Sequence, residues 1–79
     1  MAIRVGVVGA GSWGTTIASM AALNTSTMLW ARSAVTAEVI NAEHRNPAYL
    51  GRRELPTELI ASHDLEEVVR DADVVVMAV

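Results

Sequence analysis

The chain has 79 residues, of which 52% are apolar, and it carries a net charge of −3. This apolar fraction is too high for a disordered chain, and the length suffices for one small domain. The absence of cysteine excludes disulfide scaffolds, zinc clusters and thiol catalysis. No stretch reaches the roughly 20 apolar residues of a membrane span, and the scattered charges give no groove for nucleic acid. We therefore expect a cytoplasmic protein that uses neither a metal nor a nucleic-acid partner.

The first half of the chain predicts a strand, a helix and a second strand. Residues 3–8 are valine-rich and apolar on both faces, which is typical of a parallel strand covered on each side by helices. Residues 12–23 predict a helix, and residues 27–30 a short strand. The spacing of apolar residues predicts that the helix packs against the sheet through Ile17, Ala18, Ala21 and Ala22.

The second half continues the alternation. Ser33 is placed to cap a second helix, whose buried side we expect to contain Val35, Val39, Ile40 and Ala42. Residues 46–56 hold two prolines, a glycine and a pair of arginines, which predicts an irregular loop before a short third strand at 59–61. Residues 64–67 read Asp-Leu-Glu-Glu, which predicts a capping box and a short helix that buries Leu65, Val68 and Val69.

A turn at residues 71–73 leads into a final valine-rich strand at 74–79. The order β-α-β-α-β-α-β predicts an α/β fold with a parallel sheet and right-handed crossovers. The last strand ends the chain with no polar residue after it, which would leave an adhesive edge. We therefore expect a truncated piece of a longer protein and an incomplete sheet.

The sequence Gly9-Ala10-Gly11-Ser12-Trp13-Gly14 lies between the first strand and the first helix. This context predicts a Rossmann-type dinucleotide site, in which Gly9 permits the tight turn off the strand. Gly11 lets the backbone approach the pyrophosphate, and Gly14 lets the helix and strand pack closely. The N-terminus of the helix adds free N–H groups and partial positive charge. The alternative is a glycine-rich turn that binds nothing.

Two side chains inside this loop have open interpretations. Ser12 is placed either to donate a hydrogen bond to a phosphate oxygen or to cap the helix. Trp13 either packs against the edge of the sheet or leans toward the ligand.

The end of the second strand bears on the choice between NAD and NADP. NAD-selective sites usually place an acidic residue about 20 residues after the loop, to bind the ribose hydroxyls. This chain has Trp30-Ala31-Arg32-Ser33 there, and its next acid is Glu38. Because Arg32 can pair with a 2′-phosphate, the sequence favours NADP, with NAD as an alternative. The competing interpretation is that Arg32 is an ordinary solvated residue at the start of a helix.

The sequence resembles the N-terminus of bacterial-type NAD(P)-dependent glycerol-3-phosphate dehydrogenase over essentially its whole length. The glycine loop with its tryptophan carries the resemblance, together with Leu29-Trp30-Ala31-Arg32 and a segment similar to the family pattern I-N-x-x-x-x-N-x-x-Y-L. The matching residues of that segment are Ile40, Asn41, Asn46, Tyr49 and Leu50. The chain departs from the family pattern at two places. Residues 24–27 replace a glycine-histidine pair that is common in the family, and Gly51 replaces a common proline.

The resemblance implies reversible hydride transfer between NAD(P)H and dihydroxyacetone phosphate, which gives sn-glycerol 3-phosphate for phospholipid synthesis. It also implies cofactor contacts at Ser12, Trp13, Arg32, Ser33 and Tyr49. The alternative for Tyr49 is a loop aromatic that anchors Leu50 and Leu55. His44 could serve in acid–base chemistry, but a histidine late in an amphipathic helix is more often a surface or cap residue.

The family's key catalytic group is a lysine, and this chain has none. We therefore expect residues 1–79 to be the N-terminal part of the NAD(P)-binding domain, to contain no catalytic residue and to be inactive alone. The remainder of the protein would bind most of the substrate, and a homodimer is a possible assembly. Two alternatives are a reductase of the 6-phosphogluconate or ketopantoate type, and a nucleotide-sensing module without catalysis.

Overall fold

A computed structural model describes residues 3–47 and 54–78, in which strands and helices alternate as predicted. The strands are β1 (Arg4–Val8), β2 (Ser26–Trp30), β3 (Ile60–Ser62) and β4 (Val74–Met77). The helices are α1 (Ser12–Ala22), α2 (Ala34–Glu43) and α3 (Leu65–Arg70). Each element begins within one residue of its predicted start. In these two ranges, no helix has the length and apolar character needed to cross a membrane.

The four strands form one parallel sheet in the order β3-β2-β1-β4, which confirms the predicted α/β class. β1 lies inside the sheet, with β2 on one side and β4 on the other. The chain therefore winds outward from β1 to β3 and then crosses back to β4. This is the first part of the Rossmann strand order, in which ligands bind beyond the carboxyl ends of the strands.

Both faces of the sheet are covered by helices, as the valine-rich β1 predicted. Val7 is fully buried and belongs to the same apolar cluster as Ala18 and Ala22 of α1. The position that a side chain of Gly6 would occupy lies on the opposite face, because successive Cβ positions alternate along a strand. A Cβ on Gly6 would lie 2.8 Å from the backbone oxygen of Val68, so α3 packs directly on this glycine.

The buried side of α1 differs from the predicted side. Ala18 and Ala22 are buried as expected, whereas Ile17 and Ala21 are only partly buried. The other buried positions are Gly14 and Thr15. The close packing of Gly14 agrees with its predicted role in the glycine loop. The apolar spacing left out Thr15, whose hydroxyl is hydrogen-bonded inside the protein.

The predicted buried sides of α2 and α3 are also partly wrong. In α2, Ile40 is buried as predicted together with Ala37, but Val35 is 67% exposed. Val39 is half-buried, and Ala42 is exposed. In α3, Val68 is buried and Val69 half-buried, but Leu65 is 44% exposed. Val35 and Leu65 lie in the first turns of their helices, and both side chains are exposed there.

Both later helices begin at the predicted caps. The Ser33 Oγ accepts a hydrogen bond from the Thr36 N–H at 3.3 Å. The Asp64 carboxylate accepts from the N–H groups of Glu66 and Glu67. The predicted capping box is only half formed. In a complete box the Asp64 N–H would donate to the Glu67 side chain, whereas here it donates to the Ser62 Oγ at 3.0 Å.

The outer edge of β3 is covered by a side chain of α2. The Asn41 Nδ2 donates to the backbone oxygen of Ala61 at 2.9 Å, and the Asn41 Oδ1 accepts from the Ala61 N–H at 2.8 Å. One amide thus satisfies both edge groups of this residue and fixes α2 beside the strand.

Candidate functional site

The glycine loop, residues 9–14, connects the carboxyl end of β1 to α1. Gly9 has a φ of 120°, a conformation that L side chains rarely adopt. Its N–H donates to the Trp30 oxygen at 3.3 Å, which extends the pairing of β1 with β2 by one bond. Gly9 therefore makes the tight turn off the strand that the spacing predicted.

Gly14 and Gly11 have opposite surroundings. A Cβ on Gly14 would overlap the carbonyl of Gly9, so this glycine allows α1 to pack against the loop backbone. A Cβ on Gly11 would have nothing within 4 Å. The backbone at Gly11 is therefore open to an incoming group, which is the geometry that a pyrophosphate requires.

The N-terminus of α1 is suited to an anion. Its N-cap is Gly11, no side chain caps it, and its first turn has no acidic residue. The interpretation of Ser12 as the cap is therefore wrong, since Ser12 is the first helical residue and is exposed. Amide N–H groups and the positive end of the helix dipole face the region above Gly11.

A cleft of about 260 Å³ joins the glycine loop to the end of β2. It brings together three of the predicted site residues, Gly11, Arg32 and Ser33, and its other lining residues are Ala10, Ala31 and Thr36. No carboxylate lies among these described residues. While the Ser33 oxygen caps α2, its hydroxyl can still donate to a ligand. The cleft therefore holds a cation, a hydroxyl and an open loop.

Three other predicted residues have different outcomes. Trp13 is 68% exposed, so its ring does not pack against the sheet in the described part of the chain. His44 is the C-cap of α2 in a left-handed conformation, with a φ of 54°. It is therefore a cap residue, which was the alternative to an acid–base role. Tyr49, with Leu50, lies outside the described residues, so its role stays a prediction.

Two polar residues at the loop were not singled out by the sequence. Thr15 is fully buried and Asn46 is 4% exposed. The Asn46 Nδ2 donates to the Ala10 oxygen at 2.8 Å and to the Thr15 Oγ1 at 2.7 Å. The only signal was the place of Asn46 in the Asn-x-x-Tyr-Leu segment, which says nothing about its contacts.

Comparison with known protein families gives one match that spans almost the whole chain. Residues 4–79 match the family described as NAD-dependent glycerol-3-phosphate dehydrogenase N-terminus. The chain belongs to this family. The predicted resemblance is therefore confirmed, and the glycine loop and its cleft lie in the part of the family that the description names.

Individual relatives agree with this assignment. The chain is 51% identical over 79 residues to glycerol-3-phosphate dehydrogenase (NAD(P)+) 2 of Sphingopyxis alaskensis, covering 100% of this chain and 24% of the relative. It is 49% identical over 77 residues to glycerol-3-phosphate dehydrogenase (NAD(P)+) 1 of Mycobacterium tuberculosis, covering 96% of this chain and 23% of the relative. The chain thus spans about a quarter of the length of these curated relatives.

Solved structures of glycerol-3-phosphate dehydrogenases share the fold. The enzyme from Saccharomyces cerevisiae superposes with a TM-score of 0.88 at 31% identity, over 100% of this chain and 26% of that one. The enzyme from Plasmodium falciparum gives a TM-score of 0.85 at 25% identity, over 98% of this chain and 24% of that one. The Rossmann-type fold expected from the sequence is thereby confirmed.

Proposed function

We propose that the chain is the cofactor-binding part of an sn-glycerol-3-phosphate dehydrogenase. Its complete gene product would interconvert dihydroxyacetone phosphate and sn-glycerol 3-phosphate for phospholipid synthesis, in the cytoplasm. The observation that carries this proposal is the cleft in which the open backbone of Gly11 faces the same space as Arg32. The reaction is proposed from family membership, and the residues that line the cleft are chemically suited to bind the cofactor.

The residues present fit a dinucleotide. The pyrophosphate carries negative charge, and the first turn of α1 offers N–H groups with no acidic side chain beside them. Gly11 leaves room for that group to reach the backbone. Exposed Arg32 and Ser33, at the far side of the cleft, are suited to the adenosine ribose.

When bound, the nicotinamide cofactor supplies the hydride that reduces the carbonyl carbon of dihydroxyacetone phosphate. The residues of this chain would bind and orient that cofactor. Gly9 and Gly14 hold the loop against α1, Gly11 and Ser12 would contact the phosphates, and exposed Trp13 would be available to the ligand. The catalytic lysine that the family implies would belong to the remainder of the gene product, since this chain contains no lysine.

The proposed function is tested by turnover of the complete gene product. We expect oxidation of NADPH when dihydroxyacetone phosphate is added, followed by the absorbance of the reduced nicotinamide. Ketopantoate and 6-phosphogluconate, the latter assayed with NADP⁺, serve as control substrates. Turnover of a control substrate in place of dihydroxyacetone phosphate would indicate another reductase, and cofactor binding without turnover would indicate a sensing module.

Within this function we propose that NADP is preferred over NAD. Arg32 is exposed and lines the cleft, so its guanidinium can reach a 2′-phosphate and bind it with two parallel hydrogen bonds. An NAD-selective site would place a carboxylate here to accept from the ribose hydroxyls. The lining residues of the described cleft supply no such acceptor.

We expect Arg32→Ala to weaken the binding of NADPH much more than that of NADH. A hydrogen bond to a charged group contributes about 1.5–3 kcal/mol, so the affinity for NADPH should fall by roughly 10- to 100-fold. The measurement is calorimetric titration of the complete gene product with each reduced cofactor. The matched control is Arg70→Ala, because Arg70 is an exposed arginine of α3 that pairs with Glu66 at 2.7 Å and does not line the cleft.

The control should change neither affinity. Equal losses of NADPH and NADH affinity in Arg32→Ala would contradict a role for this residue at the 2′-phosphate. Unchanged affinities for both cofactors would indicate that Arg32 is a solvated residue at the start of α2, and an equal or higher wild-type affinity for NADH would contradict the preference for NADP.

A further inference from the structure

We propose that Asn46, acting with Thr15, is a positioning residue that orients the Ala10–Gly11 peptide so that its N–H faces the cofactor pyrophosphate. This inference rests on the proposed function, because it assumes that a dinucleotide binds at the glycine loop. By this proposal, Asn46, which follows α2 in the chain, contributes to the cofactor site together with the glycines of the loop.

The hydrogen bonds of this group converge on one carbonyl. The Asn46 Nδ2 carries two hydrogens, and it donates to the Ala10 oxygen at 2.8 Å and to the Thr15 Oγ1 at 2.7 Å. The Thr15 hydroxyl in turn donates to the same Ala10 oxygen at 3.3 Å. The Ala10 carbonyl therefore accepts two hydrogen bonds from side chains that are nearly or fully buried.

We call the hydrogen bonds from Asn46 and Thr15 to the Ala10 oxygen the clamp. Because the peptide is planar, the direction of the Ala10 carbonyl also determines the direction of the Gly11 N–H. The described chain has no cis peptide bond, and in a trans peptide the carbonyl and the following N–H point in opposite directions. Because the Ala10 oxygen is held toward Thr15 and Asn46, the Gly11 N–H is turned away from them. Ala10 and Gly11 both line the cleft that contains Arg32, so the N–H is presented on the ligand side.

The clamp matters because glycine gives this peptide an easy alternative. Glycine populates positive and negative φ about equally, so the Ala10–Gly11 peptide could rotate and turn its carbonyl toward the phosphates. Such a carbonyl would repel the ligand. A donor fixed before the ligand arrives binds more tightly than one that must be ordered on binding.

The path of the chain explains how Asn46 reaches the loop. α2 ends at Glu43, and its C-cap His44 has a left-handed conformation that terminates the helix. The His44 oxygen accepts from the Leu55 N–H at 2.6 Å, which ties this turn to a buried leucine. Two residues after His44, the Asn46 side chain enters the space beside Ala10.

The test uses Asn46→Ala in the complete gene product with two ligands, ADP-ribose and adenosine 2′-monophosphate. Only ADP-ribose has the pyrophosphate. We expect the dissociation constant of ADP-ribose to rise about tenfold, the effect of one hydrogen bond to a charged acceptor. That of adenosine 2′-monophosphate should stay within about twofold of wild type, because one misplaced N–H does not touch its contacts. The affected quantity is thus the ratio of the two constants.

The matched control is Asn41→Ala, which also removes an asparagine amide that makes two backbone hydrogen bonds, but at β3. We expect it to lower the unfolding temperature and leave the ratio unchanged. Thr15→Val is a second variant that also weakens the clamp, and Thr15→Ser should recover most of the difference from wild type. This pair decides the question even where Asn46→Ala does not fold.

An unchanged ratio in Asn46→Ala, or in Thr15→Val if the first variant does not fold, would overturn the positioning role. Equal losses for both ligands have the same meaning, since they indicate a merely structural residue. The proposed function fails separately, if wild-type protein binds neither ADP-ribose nor NADPH.

Discussion

Gly14→Ala is expected to lower the free energy of unfolding by more than about 3 kcal/mol, beyond the usual range for overpacking in a core. The added Cβ would overlap the carbonyl of Gly9. The Gly9 carbonyl belongs to the backbone, and the position of the Cβ is fixed by the backbone of residue 14, so no side-chain rotation can relieve the overlap. Either α1 moves away from β1 or the turn at Gly9 opens, and both changes disturb the loop.

Helix propensity predicts a change in stability of the opposite sign. Alanine is favoured over glycine inside a helix by about 1 kcal/mol, so local preference alone predicts a more stable variant. Thermal or denaturant unfolding of the complete gene product therefore distinguishes the two effects by sign. A Gly14→Ala variant as stable as wild type would contradict the close approach of α1 to the loop.

Gly11→Ala is expected to have the opposite profile, with a nearly unchanged fold and poor cofactor binding. Gly11 has a φ of −76° and a ψ of −171°, which any residue can adopt. The new methyl would meet no atom within 4 Å. The loss of stability should stay below about 1 kcal/mol, because alanine is a poorer N-cap than glycine by less than that amount.

The same methyl would occupy the space through which the pyrophosphate approaches the backbone. We expect the affinity for NADPH to fall at least tenfold, about 1.4 kcal/mol, measured by calorimetry on the variant used for unfolding. Gly14→Ala is its matched partner, since the same methyl is added three residues away. Wild-type affinity in Gly11→Ala would show that the phosphates do not approach the loop at this point.

The sequence predicted the order of elements well because most of them have a strong local signal, the short β3 being the exception. The valines of β1 indicated a strand covered on both faces, and Ser33 and Asp64 marked where α2 and α3 begin. These signals depend only on residues that are close in the sequence, so they can be recognised without knowledge of the tertiary structure. The three glycines could also be assigned, because each has a separate steric requirement in the turn.

The contacts between distant segments could not be predicted from local patterns. Thr15 and Asn46 are polar, and hydropathy places polar residues on the surface, yet their mutual hydrogen bonds allow both to be buried. The same limit explains Val35 and Leu65, which are apolar but exposed. Their contacts depend on which side of each helix faces the sheet, and hydropathy alone does not give that orientation.

The central claim is that the glycine loop holds the pyrophosphate of NAD(P) with Arg32 across the cleft. A crystal structure of the complete gene product with NADPH tests it most directly. We expect a pyrophosphate oxygen at about 2.9 Å from the Gly11 nitrogen and the Arg32 guanidinium on the 2′-phosphate. A cofactor bound away from this loop, with no phosphate at the N-terminus of α1, would contradict the account.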